Sequence, residues 1–156
     1  MKAILLCVGK TDDKRLAALI DEYAARLAHY VPFSIDIVPD VRTAGRAATA
    51  VREAEGQALL RRIEAGDRVV LLDEGGDEFT SRQFARFLEK RLAAGGKRLV
   101  FVVGGATGFS DEVRRRADGT LSLSRLTMTH QMVRLFFAEQ LYRAFTILRG
   151  EPYHND

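Results

Sequence analysis

Leu121-Ser-Leu-Ser-Arg-Leu-Thr-Met-Thr-His130 starts as an alternating apolar and polar run and becomes a loop rich in hydroxyls. It leads into a long amphipathic segment, Met132 to Leu148, and then a short tail, Gly150-Glu-Pro-Tyr-His-Asn-Asp156. The loop is too apolar for a solvated linker and too polar for a core. Between a strand and a helix, such a stretch reads as the wall of a pocket, with polar residues behind it able to face that pocket.

Upstream, strand and helix signals alternate. Ala3–Val8 is continuously apolar, as suits a strand buried on both faces. Asp12 or Asp13 caps a helix carrying Leu16, Leu19, Ile20, Tyr23 and Leu27 at helical spacing. Phe33, Ile35 and Ile37 alternate with Ser34 and Asp36, so the second strand has a wetter face and suits an edge. A loop over Pro39 to Arg46 precedes a helix marked by Val51, Ala54, Ala58, Leu59 and Ile63 and ended by Gly66.

Val69–Leu72 is the third strand, followed by a turn over Glu74–Asp77. Thr80 or Ser81 opens a helix closed by Gly95 and Gly96, and Leu99–Val103 is the fourth strand. Ser110, with Asp111 and Glu112, opens another helix, and Leu121–Leu123 is a short fifth strand. The pattern predicts an α/β fold, a mostly parallel sheet with helices on both faces. In such sheets ligands bind off the carboxyl ends of the strands. Leu72–Gly76, Gly104–Gly108 and Leu123–His130 all fall at that edge.

Length and composition bound the function. A chain of 156 residues reads as one domain, residues 1–156, without repeats or a dividing linker. Its net charge of +3 permits an anionic partner such as RNA without demanding one. Cys7, the only cysteine, lies inside an apolar strand and reads as a small buried hydrophobe. The apolar start is too short for a signal peptide, and no segment reaches the length of a membrane span; a cytoplasmic protein is expected.

Individual motifs are weak alone. Gly104-Gly-Ala-Thr-Gly108 lacks the ending of a P-loop and does not fit the dinucleotide pattern. It is either a tight turn needing positive φ or a backbone that approaches a ligand closely, and both can hold. Glu139 and Arg143, four apart, make an ordinary surface ion pair unless something else engages them. Capping is the plain role for His130, His29 reads as exposed, and the tail bearing His154 reads as unstructured. No metal-ligand spacing exists, and no serine-hydrolase elbow. Lys97-Arg98 and Arg114-Arg-Arg116 are solvated faces by default and phosphate-binding patches as the sharper reading.

The order of these motifs resembles the ribosomal RNA large subunit methyltransferase H family. That family belongs to the knotted SPOUT class of S-adenosylmethionine-dependent RNA methyltransferases. The resemblance runs from Ala3-Ile-Leu-Leu-Cys-Val-Gly9 to Pro152-Tyr-His154. It takes in Leu72-Asp-Glu-Gly75, Phe101–Gly108, Leu121–His130 and Glu139-Gln-Leu-Tyr-Arg-Ala144. It implies a C-terminal trefoil knot, formed by the Leu123–Met128 loop and the following helix, which pattern reasoning alone would exclude. It also implies a homodimer whose active site combines both subunits, consistent with an apolar face on the last helix wider than one sheet covers.

By the same resemblance, S-adenosylmethionine is held by Leu72, Gly104, Leu123, Ser124, Arg125, Leu126, Thr127 and Met128. The reaction implied is methyl transfer to N3 of a pseudouridine in large-subunit (23S) ribosomal RNA, with the assembled ribosome as the expected partner. Arg143 is expected to stabilise negative charge on the flanking carbonyl oxygens, His154 or Glu139 to accept the proton, and Tyr153 and His130 to position the base. Thr129 stands where some family members have proline, and Asn155 and Asp156 extend the tail. A noncatalytic ribosome- or RNA-binding protein of the same fold is the alternative, and a flavodoxin-like ligand binder a third.

Overall fold

Ala3–Val8 and Leu99–Val103, two runs apolar at every position, lie side by side in a computed structural model of the chain, which describes residues 1–42 and 44–156. The elements in chain order are β1 (Lys2–Val8), α1 (Lys14–Leu27), β2 (Phe33–Val38), α2 (Ala48–Leu60) and β3 (Arg68–Glu78). There follow α3 (Ser81–Ala93), β4 (Arg98–Val103), α4 (Asp111–Arg116), β5 (Gly119–Ser122) and α5 (Met132–Leu148). The five strands form one sheet in the order β2-β1-β4-β3-β5, and every pairing is parallel. The expected half-buried strand, β2, is at an edge.

Period-two alternation divides the strand residues between two cores. Ala3, Leu5, Cys7, Leu99, Phe101 and Val103 pack with residues of α1, α3 and α5. Ile4, Leu6, Val8, Val100 and Val102 pack with Leu59 of α2 and Val113 of α4. Helices therefore cover both faces, which is why β1 and β4 are apolar throughout.

Caps fix the helix starts. The Asp13 carboxylate accepts from the Arg15 and Leu16 amides, and Ser110 Oγ from the Val113 amide. Thr80 and Gln83 form a reciprocal capping box at α3.

Three boundaries differ from the sequence reading. α2 stops at Leu60 rather than running through Ile63, because Arg62 and Ile63 make tighter turn bonds to Leu59 and Leu60. The Asp67 carboxylate then accepts the Glu64 amide and turns the chain. β5 lies over Gly119–Ser122, two residues earlier than expected at its start, and the Asp118 carboxylate accepts the Val69 amide just before it.

The third difference matters for the site. Glu74–Asp77 is not a simple turn after a strand, for β3 continues to Glu78. Leu72 and Asp77 both pair opposite Leu121, so the intervening residues are thrown out as a bulge. Composition alone signalled a turn because a bulge uses the same small and polar residues. The loop read over Pro39 to Arg46 includes Thr43, which lies outside the described residues.

Candidate active site

The bulge on β3, the glycine loop after β4 and the loop after β5 border one cleft at the carboxyl ends of the strands. Leu72, Asp73 and Glu74 form one wall, Val103–Ala106 with Gly108 and Phe109 the floor, and Leu123, Ser124, Leu126, Thr127 and Met128 the facing wall. His130 and Val133 close the end where α5 begins. Of the eight residues expected to hold a cofactor, seven line this cleft. Arg125 does not: its side chain is 84% exposed and lies 3.6 Å from Glu78.

Glycines keep the floor low. A Cβ on Gly104 would lie 3.1 Å from the Phe109 ring, and one on Gly105 would meet the buried Glu55 carboxylate. Of this loop's glycines, Gly108 has positive φ (79°). The turn reading therefore holds at Gly108, while Gly104 and Gly105 are packed closely by the side chains of Phe109 and Glu55. Burial pushes the Glu55 carboxyl upward, against a hydrogen bond from Thr107 that lowers it.

Side-chain bonds cross the cleft. Thr127 Oγ1 donates to Glu74 Oε2 at 2.9 Å, and Arg114 pairs with Asp73 at 2.8 Å, fixing the bulge to α4. Ser124 Oγ accepts the Leu126 amide, which turns the chain within the loop. Thr129 Oγ1 accepts the Met132 amide, so Thr129 rather than His130 bonds the first amide of α5; Gln131, at the N-cap position, makes no side-chain cap. The His130 ring is thereby left free of capping and borders the cleft.

A second cluster lies at the far end of α5. Arg143 Nη2 donates to Glu139 Oε1 at 2.6 Å, and the Tyr153 hydroxyl donates to the same oxygen at 2.9 Å. Arg143 Nη1 faces His154 Nδ1 at 3.1 Å, and His154 Nε2 faces Asp156 Oδ1 at 3.0 Å. The Arg143 guanidinium also lies over the Tyr153 ring, 4.9 Å from its centroid.

The pair is therefore not the ordinary surface pair that spacing suggests. Its side chains are 25% and 18% exposed, and the tail is an ordered wall rather than a frayed end. Burial, with hydrogen bonds to Tyr23 and Glu139, pushes the Tyr153 hydroxyl well above its ordinary value. The hydrogen bond to Glu139 raises the affinity of Arg143 for its proton further.

The structure thus brings Glu139, Arg143, Tyr153 and His154 together and sets His130 with the cofactor-wall residues. It does not unite the two groups in one chain. Val133 at the cleft and Arg143 are ten helical residues apart, roughly 15 Å along α5 at 1.5 Å per residue.

Sequence reasoning missed Arg134. Its side chain is 1% exposed and donates to the carbonyls of Val8, Gly9 and His130. The signal was present: Arg134, Phe137, Leu141 and Ala144 share the buried stripe of α5, and an arginine in such a stripe must have partners. The basic runs are mostly engaged internally. Arg98 binds Asp67, and Arg116 donates to the Glu64 and Asp67 carbonyls. Burial pushes the Cys7 thiol up to about 12, so it remains an inert core residue. Among the described residues no group of three or more His, Cys, Asp or Glu could hold a metal ion, and no helix is long and apolar enough to cross a membrane.

A doubly covered parallel sheet with a cleft at its carboxyl edge defines an α/β protein of the class whose ligands bind at that edge. The family model described as "Predicted SPOUT methyltransferase" matches residues 1–154, and the chain belongs to that family. It is 52% identical over 152 residues to the ribosomal RNA large subunit methyltransferase H of Christiangramia forsetii, covering 97% of each chain. It is 50% identical to the protein of that name from Geotalea daltonii, over 99% of this chain and all of the relative. With that from Porphyromonas gingivalis it shares 48% identity over the full length of both.

Proposed function

We propose that this chain methylates N3 of a pseudouridine in large-subunit (23S) ribosomal RNA, using S-adenosylmethionine. Its relatives' names state the class of RNA, and the carboxyl-edge cleft of a SPOUT-family chain is the observation that carries the reading. The residues present suit the donor. Leu72, Leu126 and Met128 give apolar walls, and the Leu123–Met128 backbone offers amide and carbonyl groups to an adenine edge. Gly104 borders the cleft beside the Phe109 ring, and the carboxylates of Asp73 and Glu74 border a cleft for a cationic ligand.

When bound, the donor supplies a methyl group already activated on a sulfonium. The work left to the protein is alignment and removal of the N3 proton. A guanidinium only donates, so His154 Nδ1 facing Arg143 is the unprotonated nitrogen, and Nε2 carries the hydrogen toward Asp156. Glu139 accepts from Arg143, Tyr153 and Gln140, which leaves it to orient those groups. We assign proton acceptance to His154 Nδ1, whose lone pair is freed when Arg143 Nη1–H turns from it to a carbonyl oxygen of the substrate, with Asp156 behind Nε2. Arg143 stabilises the negative charge that spreads onto the carbonyl oxygens beside N3. Tyr153 and His130 position the base, and the methyl group ends on N3.

The separation along α5 supports a composite working site, in which the tail cluster of one subunit serves the cleft of its partner. The exposed Met132 and Phe136 on α5 and Leu19 on α1 supply apolar surface for such a homodimer. In this reading residues 1–156 act as one domain, the Leu123–Met128 loop and α5 form the trefoil knot, and the protein works in the cytoplasm on assembled ribosomes.

Mass spectrometry of 23S RNA from cells with and without the gene tests the activity. One pseudouridine should lose one methyl in the deleted strain and regain it on complementation. Unchanged RNA, with no transfer from labelled S-adenosylmethionine to ribosomes or free RNA, would overturn the assignment.

A further inference from the structure

Two side chains on the first turn of α5 bind the segment that follows β1. Arg134 Nη2 donates to the Val8 carbonyl and Nη1 to the Gly9 carbonyl, each at 2.8 Å. Nη1 also reaches Thr11 Oγ1 at 3.2 Å, and Nε donates to the His130 carbonyl at 3.0 Å. Gln131 Nε2 donates to the Lys10 carbonyl, and Gln131 Oε1 accepts the Asp12 amide, both at 3.0 Å. Every residue from Val8 to Asp12 is thus held by one of these two side chains.

Simple packing does not require this arrangement. Phe137, Leu141, Ala144 and Phe145 already seat α5 in the core. An apolar side chain at position 134 would avoid burying a charge, often at no loss of stability. Here the charge is buried against carbonyl oxygens, with none of its hydrogen bonds going to a carboxylate. Gln131 sits at the N-cap position of α5 but makes no capping bond, its amide being committed to the Val8–Asp12 segment.

What these bonds fix is the placement of the residues just before α5. Met128 and His130 line the cleft, whereas nothing from Val8 to Asp12 does.

We infer that Arg134 and Gln131 are positioning residues for methyl transfer: they clasp the Met128–His130 wall of the donor cleft to the end of β1. The segment after β1 is thereby part of the site without touching its ligand. The inference rests on the reading of the cleft as the S-adenosylmethionine site.

The test uses the full-length chain with Gln131→Ala, Thr11→Val, Arg134→Lys and Arg134→Met. S-adenosylmethionine affinity is measured by calorimetry, and donor KM and kcat by methyl transfer to ribosomes. Loss of a residue that serves stability alone reduces the active fraction, lowering kcat and leaving KM where it was. Loss of the clasp displaces a wall of the cleft, so donor KM should rise by about tenfold in Gln131→Ala, more than kcat falls. Thr11→Val should move KM in the same direction by a smaller factor.

Lysine retains the charge but not the fork, so Arg134→Lys should bind donor as weakly as Arg134→Met. If the Arg134 variants fail to fold, the two milder variants decide the matter. Donor KM unchanged in folded Gln131→Ala and Thr11→Val would overturn the clasp. A wild-type chain that does not bind the donor would instead overturn the reading of the cleft, and the clasp with it.

Discussion

Arg143 and Glu139 meet at 2.6 Å across one turn of α5, and the oxygen of Glu139 that accepts the guanidinium also accepts the Tyr153 hydroxyl. One carboxylate oxygen therefore sets the orientation of both a cation and a phenol. The remaining Arg143 nitrogen, Nη1, is turned to His154. Guanidinium, phenol and, through Nη1, imidazole are thus held at fixed relative positions around one carboxylate.

Arg143→Ala should lower kcat by about a hundredfold or more, the scale on which loss of one charge-stabilising donor acts. S-adenosylmethionine affinity should stay close to wild type, because Arg143 does not border the donor cleft. Single-turnover methylation and calorimetry together check this. Near-normal turnover with intact donor binding would remove Arg143 from the chemistry.

His154→Gln should lower kcat by about a hundredfold, the scale on which a positioned acid–base group acts, with S-adenosylmethionine affinity close to wild type. Asp156→Asn should lower it by less, since Asp156 touches Nε2 and not Nδ1. Single-turnover methylation and calorimetry on the two variants make the comparison. Near-normal turnover in His154→Gln would assign the proton to another group.

Thr129→Ala should destabilise the fold by about 1 kcal/mol, the usual scale of one side-chain hydrogen bond. Thr129, two residues before the N-cap position of Gln131, accepts the Met132 amide with Oγ1. Urea denaturation monitored by circular dichroism measures the change. No shift in midpoint would mean that water or another group satisfies that amide equally well.

The sheet was legible because its information is local. Leu99–Val103 is apolar at every position, and only a strand covered on both faces requires that. The cleft was legible at one remove, since loops that follow parallel strands must meet at one edge. The tail cluster was named only through the family resemblance, and spacing alone did not reveal it. Glu139 and Arg143 at i and i+4 look the same whether solvent or Tyr153 covers them, and only the return of residues 151–156 onto α5 distinguishes the cases. Arg134 escaped for the opposite reason: its position in the apolar stripe was visible, but its partners in β1 lie more than 120 residues away.

Asp67 ties acid stability to the start of β3. Burial raises its carboxyl, but hydrogen bonds from Arg98 and the Glu64 amide outweigh this and hold it below its ordinary value of 3.8. A carboxylate depressed in the folded state stabilises the fold above its unfolded value, and that contribution is lost as pH falls through the folded value. Asp67→Asn should therefore cost about 2 kcal/mol near neutrality, the scale of a hydrogen bond to a charged group, since Arg98 loses its two-point carboxylate partner but keeps the Arg62 carbonyl. The gap between variant and wild type should narrow as pH drops below about 4. Urea midpoints from pH 7 down to 3 measure it, and a gap that widens in acid would contradict the assigned direction.

Gly75 and Gly76 are adjacent in the bulge, yet they should respond oppositely to the same change. A Cβ on Gly76 would lie 2.9 Å from the Leu121 backbone nitrogen and 3.0 Å from neighbouring backbone carbons. Backbone cannot swing aside as a side chain can, so Gly76→Ala must separate β3 from β5 at the residue that both Leu72 and Asp77 pair with. Leu121 and Leu72 both border the cleft, so donor affinity should fall together with stability. A Cβ on Gly75 meets nothing within 4 Å, and its φ is not positive. Gly75→Ala should be close to neutral, within about 0.5 kcal/mol, as expected for a substitution away from such constraints. Thermal melts and donor calorimetry on the two variants make the comparison. Equal effects at the two positions would show that the bulge yields freely, and that its backbone contact with Leu121 does not set the shape of the cleft.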